Sequence, residues 1–261
     1  MRAMAIGATG MLAQQLNVEV ISNNIANIGT SGFKRQRAEF QDLLYQNVRQ
    51  VGAQSSDTGS IVPTGIQVGL GVKTAAVYRI SEQGNINVTN NQLDLAINGK
   101  GYFQITMPDG TTAYTRAGSL QLDPSGQIVT ADGYVVNPAL TIPADTLEIT
   151  VNPSGEVLAK QDGQTALTNI GQIQLATFPN EAGLEAIGDN LLRETAASGS
   201  ATTGNPQSAG FGKIIQGSLE NSNVNIVSEI SNLITAQRAY EMNSRVIRAA
   251  DDMLSTLNQI R

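Results

Sequence analysis

Both ends of the chain carry apolar residues at a strict step of seven. Near the C-terminus, Ile226, Leu233, Tyr240, Ile247 and Leu254 form one row, and Val246, Met253 and Ile260 form a second beside its last part. Near the N-terminus, Met4, Met11, Val18 and Ile25 keep the same step. Leu12, Ile21 and Ile28 widen that face, while Gln14, Gln15, Asn17 and Glu19 lie largely off it. A seven-residue repeat marks a helix that winds around other helices, because it keeps one apolar seam turned towards its partners. No Gly or Pro follows Gly217. The C-terminal helix is therefore expected to run for roughly 55–60 Å at about 1.5 Å per residue. The middle of the chain has no such rows. The simplest arrangement folds the two ends against each other, coiled-coil-like, and loops the middle out as a separate body. The fold class expected is α+β.

The N-terminal helix is expected to end near Asn23, Asn24 and Asn27, followed by Gly29 and Gly32. Asn and Gly tolerate the left-handed backbone of a helix C-terminus. Phe33-Lys34-Arg35-Gln36-Arg37 then forms a small basic patch. It reads first as a solvated face, and otherwise as a contact with an acidic neighbour in an assembly. Residues 47–65, rich in Gly, Ser and Gln, read as an extended arm, and β alternation takes over from Ile66 to Tyr78. From Leu93 to about Pro179 short alternating runs are separated by Asn98-Gly99, Asp109-Gly110, Ser125-Gly126, Asp132-Gly133, Ser154-Gly155 and Asp162-Gly163. Such dipeptides mark tight hairpin turns. The segment starting at Leu122 (LDPSGQIV) is echoed from Val151 as VNPSGEVL. Residues 195–212 are low in complexity and expected as a mobile loop. Asn221 to Asn225 stand where they can cap the last helix. Three regions result: a discontinuous helical core (1–32 with 218–261), an extended arm and hairpin region (33–92), and a β-rich outer domain (93–217).

Composition narrows the function more than the fold. The 261 residues include no His and no Cys, and the net charge is −6. Ser-His-Asp and Cys-His catalysis and His/Cys zinc sites are thereby excluded. The acidic balance argues against nucleic acid as a partner. Asp251 and Asp252 are adjacent on a helix and point about 100° apart, so they are no catalytic pair. Arg248 for them, and Arg245 for Glu241, are the expected local partners. Gly65 to Lys73 lacks the GK[ST] of a phosphate loop. Residues 3–13 form a short apolar run that continues straight into amphipathic helix, so mature helix without a cleaved signal is expected. No window approaches the roughly 18 apolar residues of a membrane span. No enzyme, cofactor or metal is expected.

Two long stretches carry a resemblance. SNNIANIGTSGFKRQRAEFQDLLYQ (22–46) is similar to the N-terminal signature of the bacterial flagellar rod and hook proteins, and VNIVSEISNLITAQRAYEMNSRVIRAADDMLSTL (224–257) to their C-terminal one. LDLAINGKGYFQI (93–105) and AYTRAGSLQLDPSGQIVTADGYVV (113–136) resemble the central β domain of that family. Residues 46–69 look like the segment that sets the distal-rod branch apart. The resemblance implies an axial subunit that polymerises helically into a hollow drive shaft. That shaft transmits motor torque to the hook and passes exported subunits through its bore. Implied partners are other copies of the chain, proximal rod proteins, the hook protein, and the L and P ring proteins around the rod. No nucleic acid or small-molecule substrate is implied. The implied location is the basal body, from the periplasm to the outer membrane. Subunit packing would fall to Met4, Met11, Val18, Ile25, Ile226, Leu233, Tyr240, Ile247 and Leu254. The residues matching the family signature are Asn23, Asn24, Asn27, Gly32, Phe33, Lys34, Gln237, Arg238 and Tyr240. The alternative is a monomeric β-rich binding or adhesion module on a helical stalk.

Overall fold

The computed structural model describes residues 2–49, 64–164 and 166–259. Most of the expected arm, 50–63, and Ile260 in the second apolar row lie outside the described residues. Contacts divide the chain into two units. One comprises Met1–Ile25, Gln36–Tyr78 and Ile226–Arg261, the other Ala26–Arg35 and Arg79–Asn225. Residues 36–78 thus group with the terminal helices, and 33–35 and 79–92 with the β-rich unit, where the sequence pattern suggested one separate arm.

The helical unit is built on α1 (Arg2–Ala26) and α2 (Ile226–Gln259). Asn225 stands immediately before α2, inside the expected capping stretch. A Cβ built on Gly7 would lie 2.8 Å from Cγ1 of Ile247, and one on Gly10 2.8 Å from Nδ2 of Asn243. Further along α1, Asn24 donates to Glu229 at 3.3 Å. As positions rise along α1 they fall along α2, so the helices run antiparallel. A long β-ribbon completes the unit. β1 (Gln36–Asp42) and β2 (Tyr45–Arg49) form one edge, β3 (Ile66–Gly69) and β4 (Val72–Arg79) the other, with β1 on β4 and β2 on β3. The alternation read from Ile66 onwards is this second edge. Its kink at Gly71 has a φ of +120° and passes so close to Thr9 that a Cβ there would overlap the hydroxyl.

The β-rich unit contains β5 (Ile86–Val88), β6 (Leu95–Asn98), β7 (Tyr102–Thr106), β8 (Thr112–Thr115), β9 (Leu120–Leu122), β10 (Ile128–Thr130) and β11 (Val135–Asn137). Next come β12 (Thr146–Val151), β13 (Glu156–Gln161), β14 (Thr168–Gln172), β15 (Leu175–Thr177), β16 (Glu185–Gly188), β17 (Leu191–Arg193) and β18 (Thr202–Gly204). Finally β19 (Lys213–Gln216) and β20 (Ser218–Glu220) return along β6 and β5. A nine-stranded sheet runs β16-β17-β8-β7-β11-β10-β9, with β15 joining β7 to β18, and β12-β13-β14 form a three-stranded sheet. Phe103, Ile105, Ile97, Leu120, Val157, Ile173, Leu175 and Ile214 close one core, all at most 2% exposed. Tyr102, Tyr114, Phe178 and Leu184 form a second, with Tyr114 edge-on to Phe178 at 4.8 Å between centroids.

Five of the six predicted turn dipeptides join paired neighbouring strands, whereas Asn98-Gly99 ends β6 and leads to β7, which does not pair with it. The echoed segments adopt the same turn twice. Gly126 donates to Asp123 O and Gly155 to Asn152 O, at 2.9 and 2.8 Å. Their carbonyls then accept from Ile142 and Ile173, each at 2.8 Å, and both isoleucines are buried. Both glycines have φ above +80°, the left-handed region that a side chain disfavours. Residues 195–212 do not form one loop as expected. β18 lies there in register with β15, and Ser198 is fully buried, its hydroxyl bonded to Thr195.

Candidate functional site

Most of the sequence-predicted packing residues are half-buried rather than fully buried, and Ile247 faces Gly7 across the helix seam. Met4, Met11, Val18 and Ile25 are half-buried on α1, as are Leu233, Ile247 and Leu254 on α2. Ile226 and Tyr240 are exposed, at 45% and 43%. The most buried positions of the seam are mostly residues that the apolar step left out, Ile21 of the widened face being the exception. On α1 these are Gly7, Ala13, Val20, Ile21 and Asn24; on α2 they are Glu229, Ala236 and Ala250, with Asn243 half-buried between them. Glu229, Ala236, Asn243 and Ala250 also step by seven. They escaped notice because small and polar side chains do not register as apolar, although small side chains let two backbones approach. Gln15, Val18 and Glu19 line a groove of about 460 Å³ with Gln237, Tyr240 and Glu241.

The family-signature residues divide between the two units. In the helical unit, Asn24 is 1% exposed, accepts from the backbone N–H of Gln36 at 2.7 Å and donates to its carbonyl at 2.8 Å. It therefore replaces a strand partner at the start of β1. Gln237 and Arg238 are exposed on α2, and Asn23 on α1. Ion pairs expected along α2 are absent. Arg248 donates instead to Ser244 Oγ at 3.4 Å, and all four ion pairs among the described residues lie in the β-rich unit. Long exposed side chains gain little from pairing in water.

One residue of the basic patch departs from the expected solvated face, while Arg37 is exposed as expected. Lys34 is not solvated; it is 8% exposed and bonded to Glu220 Oε1 at 2.6 Å. The other carboxylate oxygen of Glu220 takes Nε of Arg116 at 2.5 Å. Glu220 is 1% exposed, and its Oε1 also accepts from the N–H of Gly84 at 2.9 Å. Lys34 gives a second bond to Glu82 O at 2.8 Å. Arg116 spends its remaining nitrogens on the carbonyls of Ile97, Gly99 and Gly101, at 2.5–2.9 Å, stapling the turn between β6 and β7. Gly32 follows the same logic. Its φ is +70°, and a Cβ there would lie 2.7 Å from the carbonyl carbon of Arg116. Asn27 bonds within its own turn through Thr30, and Phe33 is half-buried beside Lys34.

Burial alone would raise the Glu220 carboxyl, but the Arg116 charge and the bonds from Lys34 and Arg116 outweigh it and hold the group below the ordinary range. Burial lowers Lys34, against the pull of Glu220. The cluster holds two cations around one carboxylate, with no water-facing partner needed to satisfy the anion. Arg116 and Glu220 were missed because each is a lone charge with no charged neighbour in sequence, in Tyr114-Thr115-Arg116 and Ser218-Leu219-Glu220. No spacing rule links residues so far apart.

Neither region has the geometry of a catalytic site, and among the described residues no cluster fit to hold a metal ion occurs. The chain matches three families in order along its length. Residues 4–34 match "Flagella basal body rod protein", residues 96–159 "Flagellar hook protein FlgE/F/G D1 domain", and residues 215–260 "Flagellar basal body rod FlgEFG protein C-terminal". These define the class as flagellar rod and hook proteins. The flagellar basal-body rod protein FlgG of Caulobacter vibrioides is 61% identical over 261 residues, covering all of both chains. That of Agrobacterium fabrum is 52% identical over 99% of each, and that of Bacillus subtilis 38% identical over 100% of this chain and 99% of its own. The chain belongs to the FlgG family of flagellar basal-body rod proteins, which are structural proteins and not enzymes.

Proposed function

We propose that the chain is a structural subunit of the bacterial flagellar basal body that polymerises helically into the distal rod. Its terminal helices would line the tube and its β-rich unit would form the outer surface. The polymer would carry motor torque to the hook and leave a bore for exported subunits. Proximal rod proteins, the hook protein and the L and P ring proteins are the other partners of this reading. Its setting in this reading is the periplasm up to the outer membrane.

One observation carries the reading. On α2, Val227, Met242 and Met253 are 74%, 61% and 60% exposed, with Ile230, Ile234 and Val246 also uncovered. A helix that has already found its partner in the same chain has no internal use for these side chains. Each is worth about 1.5–3 kcal/mol once a neighbouring copy covers it. The test is Val246→Asp combined with Met253→Asp, two exposed positions on one seven-residue row. The purified variant should melt as the parent does, and cells relying on it should make no rods and not swim. Rods of normal number and length would sink the proposal and favour a monomeric module on a helical stalk.

A further inference from the structure

Four covalent crossings join the two units, at 25/26, 35/36, 78/79 and 225/226. Within the β-rich unit, the segments leading to all of them converge on Glu220. The segment after α1 arrives through Gly32, whose N–H donates to Glu220 O at 2.8 Å. It leaves through Lys34, on the Glu220 carboxylate, and Arg35, whose N–H donates to Asn223 Oδ1 at 2.7 Å. The segment after β4 arrives through Ile80, which donates to Arg35 O at 2.9 Å. Its carbonyls at Ile80 and Glu82 accept from Asn223 Nδ2 at 2.9 and 3.0 Å, and Gly84 donates to Glu220 Oε1. The last segment, β20 and residues 221–225, contributes Glu220 and Asn223 themselves. Gly84 lies so close to Asn221 O that a Cβ would overlap it. Arg116 ties the same carboxylate to the β6–β7 turn at the edge of the main core.

We infer that Glu220, held between Lys34 and Arg116, is the positioning residue of a clasp that fixes all four crossings as one rigid point of attachment. This inference rests on the proposed rod function, because rigidity matters only where torque passes through every subunit. A buried carboxylate between two cations is satisfied in one arrangement alone. Any rotation of one segment against the others strands a charge or an N–H away from water. An apolar contact at the same place would tolerate sliding. Asn223 adds direction, since its amide is spent as acceptor towards Arg35 and donor towards Ile80 and Glu82. The clasp sets geometry first; its net contribution to stability is a separate quantity.

The test uses Glu220→Gln, which keeps the shape and removes the charge. In the purified full-length chain, hydrogen exchange should quicken about a hundredfold at Gly32, Ile80, Gly84 and Asn223. It should stay unchanged at β12 and β13. In cells, rods should still be visible by electron microscopy, and swimming should fail at medium viscosities that the parent tolerates. Lys34→Met, which keeps the Arg116–Glu220 pair, should lie between the two and replaces Glu220→Gln in the cell assay if that variant makes no rods. Unchanged exchange at the four amides, or a parental speed–viscosity curve with rods present, overturns the clasp. Cells that swim with the chain deleted altogether would overturn the rod reading instead.

Discussion

The two units of this chain solve the problem of apolar side chains in opposite ways. The β-rich unit buries Phe103, Ile97, Ile105, Leu175 and Ile214 almost completely. The helical unit buries chiefly small and polar groups, such as Ala13, Ala236, Ala250, Asn24 and Glu229. Among the described residues, sixteen large apolar side chains stand exposed in the helical unit and six in the β-rich unit. The first unit is finished as a single chain; the second has a seam but leaves most of its large apolar side chains outside. A core of small residues supplies close approach and register, while the energy of association is left for other surfaces. That division suits a subunit which must fold alone and then polymerise.

The largest effect expected from breaking this contrast is at Phe103. Phe103→Ala should cost about 3–5 kcal/mol, through lost burial and the cavity left behind. Denaturant unfolding followed in the β-rich unit measures it, and a loss under 1 kcal/mol would mean that the core is not closed. Gly7→Leu attacks the other unit. A side chain there meets Ile247 and should cost about 1–3 kcal/mol by forcing the helices apart. Faster hydrogen exchange in both α1 and α2, with none in β7, is the expected signature.

Protonation sharpens the contrast without mutation. The Glu220 carboxyl lies below its ordinary 4.5 when folded. Its contribution is therefore complete above that value and lost as pH falls through the folded one. Tyr102 is raised above its ordinary 10.0, by burial first and by Glu181 next. Its contribution is complete below 10.0 and lost as pH rises beyond it. Melting of the β-rich unit should fall off on both sides. Glu220→Gln should remove part of the acid arm and leave the alkaline arm alone. The smallest effect belongs to Leu147→Ser, at a residue 65% exposed on β12. It should change stability by under about 0.5 kcal/mol and leave rods intact. Met242→Ser, equally silent in the single chain, should lower rod yield; equal behaviour of the two in cells would erase the distinction drawn between the units.

The parts of this fold that were legible in the sequence are those written in local chemistry. Five of the six Gly-containing dipeptides marked hairpins, because a left-handed backbone position restricts residue choice wherever it occurs. The seven-residue rows marked both helices, because helical period is a local property. What stayed hidden depended on distant partners. The rows located the helices and part of their seam, through Ile21 and Ile247, but not Gly7, Ala13, Ala236 and Ala250, which fit by being small. Lys34 looked like a solvated cation because its partners are distant in sequence, the Glu82 carbonyl 48 positions away and the Glu220 carboxylate 186 positions away. The arm between Arg49 and Thr64 gave only composition.

The seam joins the first helix to the last, and Asn24 meets Glu229 across 205 positions. That separation has a consequence in time. A chain made from its N-terminus exposes α1 long before its partner exists, whereas β7 and β8 can pair almost as soon as both have emerged. The helical unit is thus the last to complete, and a chain truncated anywhere before α2 never completes it. Loss of the final 36 residues would leave a foldable β-rich unit with no helix pair, so the fold itself withholds the polymerising surface from unfinished chains.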